Sequence, residues 1–131
     1  MPPPYDVHNF LRLLGIEVNG EHLTGRFTVT HGLIAGTGYL WAPVVVALAD
    51  ALCAFGVGSN RPEESVSFTT VEGKTNFLSS AREGEVVAGV AQPVHLGTTT
   101  QVWDAIITNE TTGRRMAVYR CTQVMLYERS R

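Results

Sequence analysis

The sequence predicts an α+β architecture in which a curled antiparallel sheet wraps one long central helix. Three observations carry that expectation. The run "YLWAPVVVALADALCAFGV" (Tyr39 to Val57) is apolar around every side of a helix, so it belongs in a core or a bilayer. Four later runs are rich in Val, Ile, Thr and aromatics, the composition of strands. The connections between those runs are short, which joins neighbours as antiparallel pairs. At 131 residues the chain is expected to form one domain, 1–131, with a single core.

Each element follows from local pattern. Tyr5 to Leu14 places Phe10, Leu11 and Leu14 at three- and four-residue spacing, which predicts a short helix, and Gly15 ends it. "IEVNGEHLTGRFTVT" reads as a strand, a turn at Asn19-Gly20, and a second strand. "HGLIAGTG" (His31 to Gly38) is a glycine-rich loop. The long helix should start near Pro43, where a missing N–H does no harm, and run to about Phe55. Strands are expected over Ser65 to Asn76, Glu85 to His95, Thr99 to Thr108 and Arg115 to Leu126. Turn residues separate them at Ser79-Ser80 and Gly84, at Gly97, and at Asn109 to Gly113. In the last run Met116, Val118, Thr122, Val124 and Leu126 alternate with Ala117, Tyr119, Cys121 and Gln123. No internal repeat or low-complexity segment is present.

Composition narrows the function classes. Hydrophobic residues are 44% and charged residues 17%, a globular balance. The net charge is -2, and the nine Arg and one Lys are scattered apart from Arg114-Arg115, so no nucleic-acid partner is expected. A membrane span is not expected either. Asp50 would sit near mid-bilayer at a cost of about 3 kcal/mol. Basic anchors do not flank the apolar run, the nearest being Arg26 and Arg61. Cys53 and Cys121 read as reduced core thiols of a cytoplasmic protein. "MPPPYDVHNF" lacks the basic-then-apolar order of a signal peptide. No Cys/His pair has zinc spacing, and His8, His22 and His31 have no metal spacing, so no metal site or resident cofactor is expected. "GLIAGTG" has no Gly-Lys-Ser/Thr after it and is not a phosphate loop.

Three segments resemble the hotdog-fold acyl-CoA thioesterases of the phenylacetic-acid-degradation and 4-hydroxybenzoyl-CoA type. They are "LIAGTGYLWAPVVVALAD", "NFLSSAREGEVVAGVAQPVHLGTTT" and "ITNETTGRRMAVYRCTQVML", together about residues 33 to 126. The family's catalytic acid falls on Asp50. Its His-Gly-Gly falls on Trp41-Ala42-Pro43, so Ala42 keeps the backbone N–H that would donate to the thioester oxygen. The family's amide side chain falls on Ala35 and is lost, with Thr37 the nearby polar residue. Thr70 matches a Ser/Thr position on the strand after the helix. The resemblance also implies substrate contacts from Gly36, Thr37, Trp41 and Ala54. It places coenzyme A against Phe77, Arg82, His95, Gly97 and Thr98.

Thioester hydrolysis needs a base or nucleophile and donors for the developing oxyanion, and no metal. The first N–H groups of a helix are such donors. Asp50 lies eight residues beyond Ala42, about 12 Å along the axis at about 1.5 Å per residue. Both cannot reach one carbonyl from the same helix, so an active enzyme is expected to be a homodimer or a dimer of dimers with shared sites. Asp50 could instead be a structural acid paired with an Arg or capping another segment. Trp41 either lines the acyl pocket or packs in the core. Two other functions stay open. Acyl-ligand binding without turnover is favoured by Ala35 and the lost Gly-Gly. A dehydratase or hydratase would need His31, because the helix offers no His.

Overall fold

A computed structural model describes residues 7–129. Helix α1 spans Val7–Leu13, so the Tyr5 and Asp6 of the expected helix lie outside the described residues. It closes as the sequence suggested. Gly15 takes φ 76°, its N–H donates to Arg12 O at 2.9 Å, and Ile16 N–H donates to Leu11 O at 2.9 Å. That is the Schellman arrangement, and Leu11 and Ile16, both buried, supply its apolar contact.

Strands β1 (Glu17–Asn19) and β2 (Thr24–Thr28) form the expected hairpin, but its turn is longer than Asn19-Gly20 alone. Asn19 pairs with Thr24, leaving a four-residue loop. The Asn19 side chain organises it by accepting from the N–H groups of Glu21 (3.1 Å) and His22 (3.2 Å). The positive φ falls on Leu23, at 54°, and not on Gly20.

After a short 3-10 turn at His31–Leu33, helix α2 runs over Ala42–Asn60. It begins one residue before Pro43 and extends five residues past Phe55. Strands β3 (Ser67–Phe77), β4 (Val86–Leu96), β5 (Thr100–Asn109) and β6 (Arg114–Leu126) match the expected runs to within a residue or two. The sheet is antiparallel throughout, in the order β1-β2-β4-β5-β6-β3.

Alternation along β5 and β6 sets the core. Gln101, Trp103, Ala105, Ile107 and Asn109 point to the helix, as do Ala117, Tyr119, Cys121, Gln123 and Met125. Against them α2 buries Val44, Val45, Leu48, Ala49, Leu52, Cys53, Gly56 and Val57. By length and hydropathy alone α2 could cross a membrane. The sheet packed along its buried face accounts for the apolar residues there. Beside the fully buried face, Pro43, Ala47, Asp50 and Ala54 recur at four- and three-residue spacing and stay partly or fully exposed. This second stripe carries the candidate site.

Candidate active site

Asp50 stands in the middle of the stripe, half-buried, with alanines one turn before and after it. Its Oδ1 accepts a hydrogen bond from the Tyr119 hydroxyl at 2.6 Å, so no Arg holds it. Tyr119 reaches it from the inward face of β6 and is itself buried. Burial, followed by the hydrogen bond to the Asp50 carboxylate and that group's charge, pushes the Tyr119 pKa well above its ordinary value. The phenol therefore remains the donor. Cys53 and Cys121 lie in the core below, both free thiols as expected. A hydrogen bond with Cys121, then burial, pushes the Cys53 pKa up.

Asp50 opens onto an apolar cleft of about 330 Å³. Phe10 and Leu11 of α1, Phe68 of β3, and Ala47, Ala51, Ala54 and Phe55 of α2 complete its lining. Asp50 is the only charged residue among them. A second cleft of about 390 Å³ lies beside the start of α2, between the 32–36 loop, Trp41, Pro43 and Val44. Phe10 and Ala47 line both clefts, so the two share a wall.

The residues singled out from sequence divide into groups. Ala42 is the first residue of α2, where its N–H can find no intrahelical acceptor. Trp41 is 58% exposed and lines the second cleft with Gly36, so it is not a core residue. Ala54 lines the Asp50 cleft. Thr37 sits at the exposed tip of the loop and lines neither cleft. Thr70 faces inward, but its hydroxyl is held by the buried Gln123, whose Nε2 donates to Oγ1 at 2.8 Å. Phe77, half-exposed, ends β3 opposite Ala117.

The coenzyme A positions do not come together within one chain. Arg82 precedes β4, with its guanidinium 5.3 Å from the Tyr39 ring centroid and Nη2 donating to the Tyr39 hydroxyl at 3.1 Å. Ser79, Ser80 and Arg114 border the same hollow. His95, Gly97 and Thr98 belong to the β4–β5 hairpin at the other end of β4, about 35 Å away at about 3.3 Å per residue. There Gly97 N–H donates to Thr100 O at 2.9 Å, and Thr98 O accepts from the Tyr127 hydroxyl.

Sequence reasoning placed Tyr119 only as one member of an alternating run. The available signal was its inward phase on β6, because a buried phenol needs an acceptor. Nothing local named Asp50, which is 69 residues away.

One long helix seated in a six-stranded antiparallel sheet, with an acid on the helix's uncovered stripe, defines a hotdog fold with an enzyme-like site. Residues 37–116 match the Thioesterase superfamily, and the chain belongs to that superfamily of thioester hydrolases. It is similar to the 1,4-dihydroxy-2-naphthoyl-CoA hydrolase of Listeria monocytogenes, at 35% identity over 97 residues, 74% of this chain and 76% of that protein. Its fold matches the E. coli PaaI protein of the phenylacetic acid degradation operon with a TM-score of 0.78, at 22% identity, covering 90% of this chain and 84% of that one. A Streptococcus mutans protein solved bound to acetyl CoA matches with a TM-score of 0.72, at 20% identity, over 88% of this chain and 85% of that one.

Proposed function

We propose that the protein hydrolyses acyl-CoA thioesters to a free carboxylic acid and coenzyme A. Asp50 is the base or nucleophile, and the Ala42 N–H of a second copy is the oxyanion donor. The observation that carries this reading is the Asp50 cleft, apolar on every wall but with one carboxylate at its edge. An acyl chain has a dry place to lie there, and the carboxylate stands where a thioester carbonyl would stop. The similarity to a naphthoyl-CoA hydrolase and to a fold relative solved with acetyl CoA supports coenzyme A as the leaving thiol.

The second copy follows from distance, since Ala42 and Asp50 of one helix stand about 12 Å apart. Strand β3 supports the same conclusion. It is an unpaired edge eleven residues long, and its Phe68 also walls the Asp50 cleft. Ala35 at the second cleft favours the competing reading, in which acyl-CoA binds without turnover, because an alanine side chain can neither donate nor accept.

The test is thiol release from a panel of aliphatic and aromatic acyl-CoAs, for the natural protein and for Asp50→Asn. The reading expects release by the natural protein and a fall of about 100-fold or more in kcat for the variant, the scale of general-base loss. Tight binding with no release would establish the binding module instead. Undiminished turnover by Asp50→Asn would overturn the assignment of the acid.

A further inference from the structure

We propose that Tyr119 is a positioning residue for the Asp50 carboxylate, fixing Oδ1 so that Oδ2 is the oxygen presented to the acyl-CoA. This rests on the reading of Asp50 as base or nucleophile. The geometry comes from three elements. The Asp50 side chain rises from α2 between Ala47 and Ala54, which are too small to fix its terminal torsion, and that torsion is intrinsically broad. A charge-assisted bond of 2.6 Å from β6 supplies the missing restraint. Strand β3 makes room for it. A Cβ at Gly73 would stand 3.0 Å from the Tyr119 hydroxyl and 3.3 Å from its Cε1, so any side chain there would press on the phenol tip.

No other hydrogen bond to the Asp50 carboxylate is present among the described residues, so Oδ2 is the uncommitted atom. As a base, Oδ2 takes a proton from the water whose oxygen bonds to the acyl carbon. The C–S bond then breaks, and the departing thiolate receives that proton. As a nucleophile, Oδ2 itself bonds to the acyl carbon while the C–S bond breaks and the thiolate leaves. Water then hydrolyses the mixed anhydride, which frees the carboxylic acid, restores the Asp50 carboxylate and passes one proton to the thiolate. In either route Oδ1 stays held, because the phenol donates and does not exchange its role. The titratable groups facing Asp50 are Tyr119 and Cys121 of β6, and Cys53 on its own helix. Strand β3 brings Gly73 and Phe68, and α1 brings Phe10 and Leu11, none of which titrates.

The experiment compares Tyr119→Phe, Gly73→Ala and Asp50→Asn. Tyr119→Phe keeps the ring and is expected to lower kcat by about 10-fold or more with KM within about twofold, because the lost contact serves the reacting oxygen and not binding. Gly73→Ala leaves every functional group in place and is expected to lower kcat by a smaller factor, through displacement of the phenol. A readout free of activity is the Cζ resonance of Tyr119 in protein labelled at tyrosine. Removing the Asp50 charge should let the Tyr119 hydroxyl lose its proton at lower pH than in the natural protein.

Tyr119→Phe with full kcat beside an inactive Asp50→Asn would overturn the positioning role while leaving the thioesterase reading intact. Intact kcat with a raised KM would overturn it too, by making Tyr119 a binding residue. A Tyr119 titration unmoved in Asp50→Asn would overturn the contact itself. If Tyr119→Phe fails to fold, Gly73→Ala and the resonance decide. Absence of thiol release from the natural protein on every acyl-CoA would instead remove the function on which the proposal stands.

Discussion

At the residue scale the chain keeps a backbone N–H at a helix start where its side chains differ from those of the family it resembles. The resemblance sets Trp41-Ala42-Pro43 against His-Gly-Gly, and what survives that change is the Ala42 N–H. It is testable by a substitution that deletes only that hydrogen. Proline at the first helical position costs little, since that N–H is unsatisfied within the helix anyway. Trp41, which would precede it, already has φ -67° and ψ 126°, the region that a residue before proline prefers. Ala42→Pro should therefore fold and melt like the natural protein. In the proposed mechanism it should lose about 100-fold or more of kcat, the scale of losing one oxyanion donor. Full activity in a folded Ala42→Pro protein would rule Ala42 out as that donor. Ala42 and Asp50 were both legible in the sequence because their meaning is local, one marking a helix start and the other an acid in an apolar run. Tyr119 was not, because its partner comes from another element.

At the element scale α2 shows where local pattern stops being informative. The expected end lies near Phe55, and two glycines, poor helix formers, follow that residue within three positions. The helix nevertheless continues to Asn60. Gly56 is inside it because Trp103 of β5 occupies the space its side chain would need. A Cβ there would lie 2.5 Å from Cζ3 and 2.6 Å from Cη2 of the indole. The ring cannot easily retreat, being buried and held by its Nε1 donating to Gln101 Oε1 at 2.9 Å. Gly56→Ala sets two effects against each other. Alanine gains about 1 kcal/mol of helix propensity, while overpacking costs about 1–3 kcal/mol. With the overlap on a rigid ring the cost should win, so the urea midpoint should fall by the equivalent of up to about 2 kcal/mol without a change in m. A midpoint equal to or above that of the natural protein would show that the indole moves aside. The β1–β2 turn carries the same lesson in miniature. Asn19-Gly20 marked the place, but the loop length was set by which residue Thr24 pairs with in the sheet.

At the scale of the whole molecule, the class of fold was legible because it needs only periodicity. One helix apolar all round and several strands with short connections leave few ways to build a core. Strand order was not legible, and it decides what lies at the edges. Because β3 pairs only with β6, it ends the sheet, and its inward side is thinly covered by α2. The length of β4 separates Arg82 from the His95–Thr98 hairpin, which lie at its opposite ends, so one chain does not bring them together. The apolar character of α2 beyond its sheet-facing side makes sense if a second copy covers part of the Asp50 stripe. The proposed dimer then has a defined weak point. Val71 lies at the β3 bulge between Thr70 and Glu72 and is 58% exposed. A lysine there should cost the isolated fold within about 0.5 kcal/mol, as at most exposed sites. It would also put a charge on the edge that another chain must approach, a device natural edges use against pairing. Val71→Lys is therefore expected to shift the mass seen by light scattering from dimer toward monomer and to reduce acyl-CoA hydrolysis in proportion. Raising protein concentration should restore both together, since assembly responds to mass action. A Val71→Lys protein that is monomeric yet fully active would break the link between the edge and the site, and a shared active centre with it.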